Sequence, residues 1–280
     1  AVASAIVRGA RFKQPRRHRF AGPVAVDDLA EVFPTGTGQL VVVRGLHWLA
    51  SARPGGLDPL RHFTERLVAD GGRNAFLLQA DAVVWTYLVG LSGLGDATGE
   101  VIHLAPLDRE SLRAAVLARH RLSGLGLTFD PGSEGGVEDA LLRAAGRLRR
   151  PYDSYFRRLH AASGGLVRDA LRLWLASIEH VDGKADLVQV GPVPDSALPA
   201  LRALPEDALV PLYTIARSGW IDAATYAHLF RVDETRAAAR LARLERWGLL
   251  QVKGGLFRIT VHLRGALHRV FQERGWVSTG

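Results

Sequence analysis

Arginine is the residue type through which this chain would do chemistry. Between Glu234 and Trp247 stand Arg236, Arg240, Arg243 and Arg246, three or four residues apart. On a helix, the first three fall together beside an apolar stripe of Ala237, Leu241 and Leu244, with Arg246 further round. A guanidinium fork matches phosphate oxygens and the major-groove edge of guanine. Lys253 and Arg258 follow on a short hairpin, where they would touch flanking phosphates. The competing reading is a charged face that contacts protein. Arginine is abundant everywhere here: of 36 basic residues only Lys13, Lys184 and Lys253 are lysine.

Three further stretches place polar residues where chemistry is done. The apolar run Val41-Val42-Val43 ends in Arg44-Gly45 and continues Leu46-His47-Trp48-Leu49. A second apolar run, Ala75–Gln79, is preceded by Asn74 and ends in Gln79. The third stretch is Ser163-Gly164-Gly165-Leu166-Val167-Arg168, a glycine break followed by a helix start with an arginine in its first turn. Other chemistries find no support. The ten histidines form no H-E-x-x-H pair, there is no G-x-S-x-G, and the carboxylates are scattered. His47 beside Trp48 reads as structural. Cysteine is absent, which excludes disulfides, thiolate metal sites and thiol nucleophiles.

The elements that must position these residues are legible from periodicity. Gln39–Val43, Ala75–Gln79 and Val101–Leu104 read as buried strands, and Leu57 to Ala69 as a helix between the first two. Strands alternating with a helix predict a parallel α/β layer. From Asp108, an N-cap, a helix is expected to about His120, followed by helices over Glu138–Arg150, Tyr152–Ala162 and Leu166–His180, with no strand among them. Gly191-Pro192-Val193-Pro194 reads as a linker. Helices are then expected over Glu206–Arg217, Asp222–Phe230 and Glu234–Trp247, the last capped by Asp233 and stopped by Gly248. Strands Leu249–Lys253 and Leu256–Thr260 joined by Gly254-Gly255 make a hairpin, followed by a last helix. Three helices and a hairpin predict a winged helix.

Composition sets the bounds. With 48% hydrophobic and 23% charged residues among 280, the chain has material for packed cores. No apolar run is long enough for a membrane span, and no signal-peptide pattern opens the chain, so a cytoplasmic protein is expected. The net charge of +8 favours anionic partners. The basic run Arg8, Arg11, Lys13, Arg16, Arg17 and Arg19 reads either as a nucleic-acid arm or, preferably, as a solvated edge.

In order, these elements resemble the later portion of AAA+ and STAND-type P-loop ATPases, of the origin-recognition-like or bacterial signalling kind. The run ending at Arg44-Gly45 and Leu46-His47-Trp48-Leu49 resembles the Walker B strand and the turn after it. Ala75–Gln79 resembles the sensor-1 strand. The segment Pro106 to Leu112 resembles the entry to the lid, and Ser163 to Trp174 resembles the start of its last helix. The resemblance implies an α/β plus α fold. A partial parallel-sheet P-loop-type core would cover 1–108, a helical lid 109–190 and a C-terminal winged helix 195–280. It implies a nucleotide-responsive regulator, with Arg168 contacting phosphate and Asn74 or Gln79 orienting water. Its partners would be nucleotide, DNA through the winged helix, and another protein.

The departures limit that function. No G-x-x-x-x-G-K-[ST] is present, so ATP with Mg²⁺ is expected only if a P-loop lies upstream of Ala1. The chain contains no methionine and reads as a piece lacking that segment, or as a relic. Arg44 and Gly45 stand where acids would hold Mg²⁺, and residues 88–100 carry no arginine finger. Hydrolysis is therefore expected to be weak or absent. The alternative is a winged-helix DNA-binding or scaffolding protein with an inert ATPase-like layer.

Overall fold

Leu40, Val41, Val42 and Val43 are all buried, as a strand covered on both faces requires. A computed structural model describes residues 15–129, 152–181 and 184–277. Along the chain come β1 (Arg16–Arg19), β2 (Leu40–Arg44), α1 (Asp58–Asp70), β3 (Ala75–Gln79), α2 (Ala82–Leu91) and α3 (Arg109–Arg121). Then follow β4 (Gly126–Phe129), α4 (Asp153–Ser163), α5 (Val167–Ala176), β5 (Ile178–His180), β6 (Leu187–Val190) and α6 (Leu198–Arg202). Last come α7 (Glu206–Ser218), α8 (Ala223–Phe230), α9 (Glu234–Arg246), β7 (Leu250–Lys253), β8 (Leu256–Ile259) and α10 (Arg264–Glu273). The helix expected over Glu138–Arg150 lies outside the described residues.

These elements form two units. One joins Ala1–His103 to Pro205–Thr260; the other joins Leu104–Leu204 to Val261–Gly280. The expected boundaries followed chain order, whereas packing sends α10 to the second unit and α7 to α9 to the first.

In the first unit β1, β2 and β3 form a parallel sheet in that order, with Arg16 opposite Val41 and Leu40 opposite Ala75. The third strand of this sheet is β1, not Val101–Leu104. The latter segment makes no ladder, and Val101, Ile102 and Leu104 are 44%, 56% and 66% exposed. Its apolar run mimicked a strand, but among the described residues no neighbour pairs with it. Arg16, Arg17 and Arg19 are exposed on β1, an edge strand among the described residues, where charge deters further pairing; Arg8, Arg11 and Lys13 of the basic run lie outside the described residues. Leu46, Trp48 and Leu49, from the 3₁₀ turn after β2, pack with Leu60, Phe63 and Leu67 of α1 and Leu88 of α2. Burial of each such side chain contributes about 1.5–3 kcal/mol.

In the same unit Asp222 and Asp233 cap α8 and α9 by accepting from Thr225 N–H and Arg236 N–H, both at 2.8 Å. Gly248, at φ 72°, follows α9. Gly254 and Gly255 take φ 58° and 73°, the two positive values a tight hairpin turn needs, and join antiparallel β7 and β8. A bridge between Ile221 and Phe257 ties the hairpin to the segment before α8.

The second unit is mainly helical, but it also holds a sheet of order β4-β6-β5, with β4 parallel and β5 antiparallel to β6. This corrects the expectation of no strand there. It also ends the predicted Leu166–His180 helix at Ala176. These strands have three or four residues each, too short for a clear alternation. The core gathers Leu112, Val116, Tyr155, Phe156, Leu159, Leu173 and Trp174. The Tyr155 hydroxyl bonds Ser177 Oγ at 2.6 Å, and burial pushes the phenol up to about 12. No helix among the described residues is long and apolar enough to cross a membrane.

Candidate functional site

Three sets of polar residues can be placed. The first is at the ends of the parallel strands. Arg44 is the exposed last residue of β2, and Gln79, the last of β3, is its partner in register. Both stand at the carboxyl end of the sheet, where open α/β sheets bind ligands. Gly45 follows at φ 80°, and a Cβ there would lie 2.5 Å from the Phe20 carbonyl oxygen. Only glycine fits, for both conformational and steric reasons.

Asn74 lies at the other end of β3. It is 5% exposed. Its Oδ1 accepts from Gln39 N–H at 3.0 Å, and its Nδ2 donates to the Gly36 carbonyl at 3.0 Å and to Asp70 Oδ2 at 3.3 Å. This amide fastens the start of the sheet to the end of α1. The structure therefore does not bring Asn74 to Gln79. Nor does His47 stand free for catalysis, since a Cβ on Gly219 would lie 2.6 Å from its Cδ2.

The second set surrounds Arg168. Gly164 and Gly165 take φ 61° and 77°, and a Cβ on Gly165 would meet the Leu107 carbonyl oxygen at 2.4 Å. Leu107 N–H donates to Gly165 O at 3.0 Å, so this glycine pair docks the segment before α3. Arg168 is exposed in the first turn of α5. Beside it, burial raises the carboxyl of Asp169 despite the opposing charges of Arg172, Arg168 and His262.

The third set is the arginine face of α9. Ala237, Leu241 and Leu244 are buried, as the stripe predicts. Arg240 is exposed, with no ion pair or hydrogen bond to another side chain among the described residues. Arg236 is exposed, and among the described residues its one acid is the N-cap of its own helix, Asp233, at 4.0 Å. Arg243 differs: it lies 3.6 Å from Asp207 and 5.1 Å from the centroid of Trp247. Lys253 is exposed on β7. Arg258 does not join the solvent-facing set, because its guanidinium stands 4.4 Å from the Trp48 ring centroid. Periodicity grouped the arginines correctly but could not see Asp207 or Trp48 arriving from other elements.

Chemically, the exposed group is a set of fixed cations on a helix and a hairpin. It can bind phosphate and base edges. Among the described residues no three His, Asp or Glu side chains are grouped to hold a metal ion. Comparison with known proteins adds no relative: no family model matches this chain, and no curated protein matches it significantly.

Proposed function

We propose that residues 205–260 are a winged-helix nucleic-acid-binding module, with α9 as the recognition helix and the β7–β8 hairpin as the wing. The observation that carries this reading is the state of Arg236 and Arg240. They are exposed on one face of α9, with no acid from another element of the described residues to compete for them. Arg236, Arg240 and Lys253 are the phosphate and base contacts; Arg243 and Arg258 brace the module from within. The α/β layer is a regulatory platform of AAA+-like build. Arg44 and Gly45 in place of metal-binding acids leave it without hydrolysis.

Duplex DNA binding measured by fluorescence anisotropy over a salt series tests this. Each phosphate contact contributes about 0.9 to the slope of log K against log salt. The double variant Arg236→Ala/Arg240→Ala should lower that slope by about two. Binding that does not respond to salt would refute the reading.

A second reading has one observation of its own. Arg44 and Gln79 stand side by side at the ligand-binding end of the sheet. A guanidinium there suits a polyphosphate held without a metal. Nucleotide would then gate the module, and Arg168 is the residue for which the AAA+ resemblance implies a phosphate contact. ATP binding should be measured with any natural sequence upstream of Ala1 included. Arg44→Glu should weaken it; unchanged affinity would remove this reading and leave the first intact.

A further inference from the structure

A cleft of about 240 Å³ opens in the first unit, lined by no residue of α9. Tyr87 of α2, Arg217, Trp220 and Phe230 are among its lining residues, and the Arg217 guanidinium lies against the Tyr87 ring. Its size is below the roughly 300–1,000 Å³ of pockets that take drug-sized ligands. It therefore suits a body of one ring rather than a nucleotide.

The polar groups around this cleft divide sharply by what they still need. The hydroxyls are already used. Thr214 and Ser218 donate to the carbonyls of Val210 and Thr214, at 3.0 Å each, and Thr225 Oγ1 accepts from Arg53 Nε at 3.1 Å. Three groups are not used in this way. Arg217 has no carboxylate partner among the described residues; its guanidinium lies 4.6 Å from the Tyr87 centroid and 5.4 Å from that of Tyr213. The Tyr87 hydroxyl has no hydrogen-bond partner there either, and burial raises its pKa, which keeps the proton on. Trp220 is 4% exposed, and its indole N–H is buried without an acceptor.

All three groups are donors, but the Trp220 N–H is sealed from solvent, so Arg217, with its fixed charge, and Tyr87 are the two a ligand can reach. The remaining walls are apolar and aromatic, with Ile221, Leu229 and Phe230. We propose that this cleft is a binding site for a small organic carboxylate with an apolar, ring-sized body. Arg217 grips the carboxylate, Tyr87 supplies a further donor, and the aromatic walls, Trp220 among them, cover the ring. A planar carboxylate fits the guanidinium fork. A multiply charged phosphate would call for more than one cation. The site is independent of the nucleic-acid reading, because none of its residues lies on α9 or the hairpin.

Phenylacetate, phenylacetamide and acetate are the probes. The readout is the Trp220 indole N–H resonance in an ¹⁵N correlation spectrum, assigned with Trp220→Phe. Phenylacetate should shift this resonance saturably, with phenylacetamide and acetate each about tenfold weaker or more. Arg217→Gln should remove the preference for acid over amide. Because Arg217 also packs on two tyrosines, Leu229→Phe is the second variant: it narrows the cleft with Arg217 in place and should weaken phenylacetate. An unmoved Trp220 resonance, equal responses to acid and amide, or undiminished binding in Leu229→Phe would each overturn the proposal.

Discussion

Trp48 and Trp220 meet with ring centroids 5.5 Å apart, and both are almost fully buried. The contact joins the turn after β2 to the segment before α8, residues far apart in sequence. It brings the parallel sheet and the helix–hairpin segment into one compact unit with a shared core. Trp220→Ala should therefore cost about 3–5 kcal/mol, as large aromatic deletions in cores do. A double-mutant cycle with Trp48→Ala should give a coupling of about 0.5–1.5 kcal/mol. Urea unfolding read by far-ultraviolet circular dichroism checks both, and additive losses would show that the rings do not support one another.

Asp222 serves the same junction in a second way. It caps α8 and also pairs with Arg53, which bonds Thr225 of that helix too. Asp233 caps α9 with only the weak local contact to Arg236. Loss of a cap costs about 0.5–2 kcal/mol. Asp222→Ala should lie at the upper end of that range and Asp233→Ala in its middle. Equal unfolding midpoints for the two variants would show that Arg53 adds nothing.

The arginines of α9 and β8 should separate by function. Arg240→Ala should lower DNA affinity and salt dependence with stability within about 0.5 kcal/mol of the parent. Arg258→Ala should do the reverse, because its guanidinium lies on Trp48 and a cation–π contact of this kind contributes about 0.5–2 kcal/mol. Parallel anisotropy and thermal melts would settle it: a large loss of DNA binding in Arg258→Ala returns that residue to the contact surface.

Much of this division is readable from the sequence. The apolar stripe of α9, its Asp233 cap and the Gly-Gly turn are local signals, and each is where periodicity and turn chemistry put it. The α/β layer is legible in β2 and β3, whose apolar runs are long and bounded. It is not legible in β1, because Arg16-Arg17-His18-Arg19 has no apolar face and is a strand only through its pairing with β2. Val101 to Leu104 fails for the complementary reason: the residues suit a strand, but pairing is a property of two segments. The cleft is hidden for the same cause, since Tyr87, Arg217 and Trp220 come together only in three dimensions.

Acid should act on the second unit in two opposing ways. Glu273 is bound by Arg202, which holds its carboxyl below the usual range. A depressed folded-state pKa contributes stability above the unfolded value, and that contribution is lost as pH falls through the folded one. Asp169 is raised by burial, so its effect has the other sign. It favours the folded state at low pH, and that advantage fades as pH rises through the raised value. Asp169→Asn should therefore gain stability relative to the parent near neutral pH and lose that gain in acid. Glu273→Gln should cost stability at neutral pH only. Unfolding midpoints from pH 3 to 7 test both, and pH-independent differences would remove the assignment.

Gly45 makes the sharpest prediction about the layer's chemistry. On the proposed AAA+-like reading it stands where a metal-binding acid would be needed for hydrolysis, and its φ of 80° with a would-be Cβ at 2.5 Å from the Phe20 oxygen admits no side chain. The left-handed backbone alone costs a non-glycine residue about 1–2 kcal/mol. The carbonyl contact adds to this because backbone cannot yield as a side chain would. Gly248 is a matched control: its φ is 72°, but nothing lies within 4 Å of its would-be Cβ. Gly248→Ala should thus cost only the backbone term, and Gly45→Ala distinctly more. Replacing Gly45 by Asp should then unfold or distort the β2 end before it could create a magnesium site. On that reading the absence of the acid is built into the backbone and does not follow from the side chain alone. Equal melting temperatures for Gly45→Ala and Gly248→Ala would contradict this, and a folded Gly45→Asp variant that binds Mg²⁺ would overturn it.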